Sequence, residues 1–171
     1  MKIEIPADVE IALDGGVKVR GKLGEVGEAF KLGKLKLRQE NNLIFVEAEK
    51  ATKREKRLAG TVVGKIKNMV KGVREGFTYK LQVASSHFPM RVEIDKSKGL
   101  LFVKNFLGER IPRQAKLLQG VDVKIEGDMI TVTSANKEAA GQVATNIEGA
   151  TKVKAKDKRI FMDGIYLIER P

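Results

Sequence analysis

"PADVEI", residues 6–11, returns as "PMRVEI" at 89–94, and the reading of that recurrence decides the fold. Two further echoes keep nearly the same spacing. "LGE" at 23–25 returns at 107–109, and "NLIFVEA" at 42–48 is echoed by "DMITVTS" at 128–134. Similarity recurring in order at a fixed interval marks one structural unit used twice. A chain of 171 residues has room for two small domains, because domains run from about 50 to 200 residues.

Working outward from the first copy, Ile3, Ile5, Val9, Ile11 and Leu13 alternate with polar residues, which predicts a strand broken at Pro6. The turn "DGG" at 14–16 leads to Val17 and Val19. "KLGKLKLR" at 31–38, the turn "ENN" at 40–42 and "LIFVEAE" at 43–49 complete four short strands of an antiparallel sheet. From Thr52, read as an N-cap, the period becomes helical: Leu58, Val62, Ile66, Met69 and Val73 share one face. Gly60 and Gly64 are expected to let this helix lie close to its sheet or to a ligand, and Gly76 ends it. The second copy has its helix from about Asn136 to Ala150, with Ala140, Val143, Ala144 and Ile147 on one stripe. "FTYKLQVA" at 77–84 and "RIFMDGIYLIER" at 159–170 each follow a helix and read as strands in equivalent places. The expected class is α+β, with two similar domains at 1–80 and 81–171. Each would be an antiparallel sheet packed against one main helix.

Lys and Arg number 33 against 22 Asp and Glu, a formal charge of +11, which favours a polyanionic partner such as nucleic acid. No apolar run approaches the roughly 20 residues needed to span a bilayer, and no membrane partner is expected. The opening "MKIEIPADVEIAL" alternates and does not read as a signal peptide. Without cysteine, disulfides and thiolate metal sites are excluded, and a cytoplasmic protein is expected.

Catalytic groups are scarce. His87 is the only histidine, which leaves a metal cluster or a histidine-dependent triad little to work with; no catalytic residue, metal or cofactor is assigned. In "SSHFP", His87 is expected to pack beside Phe88 or meet a backbone carbonyl. "GKLGEVGEAF" at 21–30 resembles a phosphate loop only superficially, lacking the Gly-Lys-Ser/Thr ending, and is read as a loop between strands. The alternative function, an enzyme of nucleotide or RNA metabolism on a duplicated sheet domain, would require Ser86, His87 and an acid to converge in one pocket.

The cations are more informative. Between Lys50 and Lys80 the acids within the helical run are only Glu55 and Glu75, a lopsided balance. Arg57, Lys65, Lys71 and Lys80 there form either a solvated face or an RNA or assembly contact. "KVKAKDKRIF" at 152–161 places Lys152, Lys154, Lys156 and Lys158 on one side of an extended strand, followed by Arg159. Such a row of ammonium groups is relieved by phosphates, and its position between a helix and a terminal strand pins it to the fold. The lack of paired stacking aromatics points to phosphate and shape recognition.

In order along the chain, "VKGVREGFTYKL", "HFP", "NFLGE" and "DKRIFMDGIYLIE" resemble the large-subunit ribosomal protein six family, in its archaeal and eukaryotic branch. The resemblance covers nearly the whole chain. It implies a structural, non-enzymatic constituent of the large subunit that supports translation. That constituent would bind large-subunit rRNA near the stalk base and the factor-binding region, beside neighbouring ribosomal proteins. It also implies that the C-terminal domain is the main rRNA-binding unit, with Lys104, Arg110 and Arg113 around "NFLGE" adding to the 152–159 cations. The isolated chain is expected to be a monomer. Contacts through an extended basic tail are not carried over, since only four residues follow Leu167.

Overall fold

Alternation of buried and exposed positions is clearest in the first and third strands of the computed structural model, which describes residues 2–13, 16–40, 43–48, 52–154, 156–157 and 159–171. The strands are β1 (Lys2–Glu4), β2 (Glu10–Ala12), β3 (Val17–Gly21), β4 (Gly24–Glu28), β5 (Leu35–Glu40) and β6 (Leu43–Ala48), followed by helix α1 (Lys53–Glu75). They form two antiparallel three-stranded sheets, ordered β1-β6-β5 and β2-β3-β4. The expectation of one sheet is thus corrected: Pro6 and the turn after it carry the chain from one sheet to the other. The "GKLGEVGE" stretch is also not a loop. It supplies β4, paired with β3 so that Val26 faces Val19, both buried.

Thr52 caps α1 as expected. Its hydroxyl accepts from the Arg54 N–H, and the Glu55 carboxylate accepts from the Thr52 N–H at 3.1 Å, closing a capping box. The Thr52 hydroxyl bond, more than any other contact, holds the Glu55 carboxyl below its ordinary value. Ala59, Val62, Ile66, Met69, Val70 and Val73 form the buried stripe. α1 packs against β3, β4 and β6, and the Leu23 N–H donates to the Val73 carbonyl at 2.9 Å. Gly21 permits that approach, since a Cβ there would lie 2.7 Å from Val73 Cγ2. Gly60 and Gly64 do not: both are exposed, and a Cβ at either meets nothing within 4 Å. Gly76, at φ 76°, ends the helix.

The second half holds β7 (Phe77–Ala84), β8 (Arg91–Asp95), β9 (Leu100–Lys104), a 3-10 turn (Phe106–Gly108), β10 (Arg113–Lys116), β11 (Asp122–Glu126), β12 (Met129–Ser134), α2 (Lys137–Ala150) and β13 (Gly164–Glu169). Its sheets are ordered β10-β9-β8 and β11-β12-β7-β13, all antiparallel. Asn136 caps α2, its side chain accepting from the Glu138 and Ala139 amides, and Ala140, Val143, Ala144 and Ile147 are buried as the stripe requires. Phe77, Leu81, Leu101, Val103, Phe106, Ile130, Val132, Ile147 and Ile165 form one continuous core.

The chain divides into two compact units, at residues 1–76 and 77–171. A boundary at residue 80 would cut β7, whose whole length is paired with β12 and β13. The order of pairing matches between units: β1-β6-β5 corresponds to β7-β12-β11, and β2-β3-β4 to β8-β9-β10. By that correspondence β7 answers to β1, not to the strand at the chain's end. β13 is an addition that pairs with the other side of β7, whereas among the described residues β1 is paired on one side only.

Candidate nucleic-acid interface

The connection between α2 and β13 holds the densest cations of the second unit. It is not the extended strand that alternation predicts. Thr151 and Val153 are buried while Lys152 and Lys154 face solvent, so the alternation holds for these four positions. Further on, Asp157 makes a turn: its carboxylate accepts from the Arg159 N–H at 2.9 Å, and its carbonyl accepts from the Phe161 N–H at 2.9 Å. Lys156 lies 4.7 Å from the centre of the Phe161 ring, and Lys158 falls outside the described residues.

Three anchors fix this segment. The first is Arg113. Its Nε and Nη2 donate to the two oxygens of Glu109 at 2.8 and 2.6 Å, and its Nη1 donates to the carbonyls of Ala150 and Lys152 at 3.0 and 2.9 Å. The guanidinium also lies 4.2 Å over the Phe106 ring. The bond from Arg113 is the main reason the Glu109 carboxyl sits below its ordinary value, and the charge of Lys156 adds to it. Arg113, a predicted rRNA contact, therefore spends its donors inside the protein. The "NFLGE" turn that places it needs left-handed backbone at Asn105, Leu107 and Gly108 (φ 58°, 49° and 78°), and the Asn105 amide bonds the Pro89 carbonyl at 3.0 Å.

The second anchor is Thr151, whose hydroxyl accepts from the Ile165 N–H at 2.9 Å. The third is Asp163, wholly buried. It accepts from the Ser86 N–H at 2.6 Å and the His87 N–H at 3.2 Å, and lies 3.3 Å from His87 Nδ1. Burial pushes the Asp163 carboxyl up, but the bonds from Ser86 and His87 together outweigh it and hold the group below its ordinary value. His87 thus meets Asp163 and the Phe161 ring, 5.2 Å away, rather than Phe88 or a carbonyl. Ser86, His87 and an acid do converge, but Ser86 contributes its amide. No bond joins its hydroxyl to His87, so no nucleophile and base are paired. Among the described residues no group of three or more His, Cys, Asp and Glu is placed to hold a metal ion, and no helix is long and apolar enough to cross a membrane.

Several other predicted cations are paired with the protein's own acids. Lys104 binds Glu93 at 2.6 Å, Lys80 binds Glu169 at 2.7 Å, and Lys65 binds Glu28 beside the Phe30 ring. By contrast, the side chains of Lys152, Lys154, Arg159 and Arg110 are exposed and meet no carboxylate among the described residues. Arg57 and Lys71 are exposed on α1. Next to Lys152 opens a hollow of about 390 Å³, whose lining includes Glu148, Val153, Phe161, Ile165 and Tyr166. The sequence reading did not include it, although two aromatic residues five positions apart around "MDG" were visible.

The chain matches the family model described as Ribosomal protein L6 over residues 5–76 and 88–164, one stretch in each unit. It is 44% identical to "Large ribosomal subunit protein uL6" of Staphylothermus marinus, over 98% of this chain and 92% of that protein. The proteins of the same name from Aeropyrum pernix and Methanococcus vannielii are 43% and 42% identical, each over 99% of this chain and over 93% and 92% of their own lengths. With a match in both units and relatives aligned along almost their whole length, the chain belongs to the ribosomal protein L6 family.

Proposed function

We propose that this chain is a structural constituent of the large ribosomal subunit in the cytoplasm, binding large-subunit rRNA chiefly through its second unit and so supporting translation. Membership of a ribosomal-protein family makes it a structural component and not an enzyme. The observation that carries the RNA reading is the set Lys152, Lys154 and Arg159. Among the described residues their charges meet no carboxylate, and they lie on a segment that Arg113, Thr151 and Asp163 hold in place. Fixed cations displace counterions from RNA phosphates, and a rigid scaffold keeps those contacts in register. Arg110 and Lys156 extend the surface; Lys104 joins it by exchanging Glu93 for a phosphate. Arg57 and Lys71 on α1 give a second surface for RNA or for neighbouring ribosomal proteins. We place the contact near the stalk base, on the resemblance of "NFLGE" and "DGIY" to the family, and read the matching strand orders as an internal duplication. As an isolated protein it is a monomer.

If about six phosphates are contacted, affinity for large-subunit rRNA fragments falls by about three decades between 50 and 200 mM salt. Replacing Lys152, Lys154 and Arg159 with Ala is expected to weaken binding and lower that slope by roughly three contacts, with the fold intact by circular dichroism. A salt-independent affinity, or a triple variant that binds as the parent does, would reject the mechanism.

A further inference from the structure

We infer that the hollow between the end of α2 and the start of β13 takes one unpaired guanine, turned out of the RNA whose phosphates lie on Lys152 and Lys154. The inference rests on the RNA-binding reading above and adds a base-specific contact to it.

Its volume of about 390 Å³ lies within the range of small-ligand sites, roughly 300–1,000 Å³. Apolar side chains, Val153 and Ile165, line it beside two rings, Phe161 and Tyr166. Tyr166 is 45% exposed, a large area of ring left in water, yet its hydroxyl donates to the Met162 carbonyl at 2.8 Å and so holds the ring in one orientation. Gly164 is part of that arrangement: a Cβ there would come within 3.3–3.4 Å of the tyrosine ring. Phe161 is held in turn by His87 and Lys156. An immobilised, water-facing aromatic ring stacks a base with little ordering cost, and such stacking is sequence-tolerant.

Selectivity comes from Glu148. Its carboxylate has no hydrogen-bond or ion-pair partner among the described residues, while the helix-end carbonyls around it are already taken by Thr151, Lys152 and Arg113. An ionised carboxylate only accepts. The Watson–Crick edge of guanine presents two neighbouring donors, N1–H and the N2 amine, which suit a carboxylate; adenine, cytosine and uracil each set an acceptor next to their donor. Enzymes and binding proteins that extrude a base read it by this edge and by stacking. Lys152 at the rim answers the phosphate and makes the approach favourable for a polyanion and unfavourable for a cationic ligand.

The test uses the whole chain with the pentaribonucleotides UUGUU, UUAUU, UUUUU and the same oligomer with an abasic centre, which carry equal phosphate charge. Tyrosine fluorescence is a direct reporter, because the chain has two tyrosines and no tryptophan, and Tyr79 is buried. UUGUU is expected to bind about tenfold more tightly than the abasic oligomer and to quench Tyr166. Glu148→Gln should bring UUGUU down to the level of UUAUU. Tyr166→Ala should bring it to the abasic level, and Tyr166→Phe, which keeps the ring, should retain the preference. Equal affinity for all four oligomers, or the same guanine preference in Tyr166→Ala and Glu148→Gln, overturns the site. If those equal affinities are still lost when Lys152, Lys154 and Arg159 become Ala, phosphate binding stands and only the base pocket falls. If neither the oligomers nor rRNA bind, both readings fall together.

Discussion

Asp163 is a buried carboxylate whose oxygens receive two backbone amides and face His87, and this gives the second unit a defined response to acid. Because the folded value lies below the ordinary 3.8, the group stabilises the fold above that pH, and the contribution is lost as pH falls through the folded value. Asp163→Asn is expected to cost about 1–3 kcal/mol at pH 7, since both backbone amides lose a charged acceptor. Urea denaturation at pH 7 and near pH 2 checks the sign: the gap between parent and variant should narrow on acidification. None of this was legible in the sequence, because Ser86 and Asp163 are far apart along the chain and meet only when β13 pairs with β7. Arg113 illustrates the same limit. Its charge was visible and was assigned to RNA, but Glu109, Phe106 and the end of α2 enclose it once the "NFLGE" turn forms. Lys152 and Lys154, whose surroundings are local, were placed on the surface by charge and alternation alone.

At the scale of elements, the two helices were readable because their signals are local: Thr52 as a cap, and in both helices apolar residues three and four apart on one face. Gly60 and Gly64 do not serve the close approach to the sheet that was one of the two roles expected of them, since sequence shows what a glycine permits but not what lies beside it. Both point into open space in the interior of α1, where each costs about 1 kcal/mol relative to alanine. Gly64→Ala is therefore expected to stabilise the chain by about that amount, raising the thermal midpoint by a few degrees, and calorimetry reads it directly. A fall in the midpoint would mean that the helix backbone is approached there. β4 escaped notice for the opposite reason: in "GEVGE" only Val26 is apolar, and its pairing with β3 depends on a partner strand.

Across the whole molecule, the repeat in the sequence leads to an expectation of two similar units, and the sheets of the two units share one strand order. What the repeat concealed is β13, a strand without a counterpart among the described residues of the first unit. Ile165 is fully buried from it, and Leu167 packs on the same core. A chain ending at Asp163 is expected to lose about 2–5 kcal/mol for the first of these alone. Hydrogen exchange should show the β7 amides that face β13 losing protection in that variant while those of β5 and β6 keep theirs. Position along the chain adds a kinetic side. β7 opens its unit yet lies in the middle of its sheet, where Leu81 stands between Ile130 and Leu167, so neither neighbour is supplied by a nearby hairpin. Domains dominated by such long-range strand pairings fold slowly, on the order of milliseconds to seconds. During that interval β7 remains a sticky ribbon, which makes the newly made chain most prone to clumping before its last strand arrives.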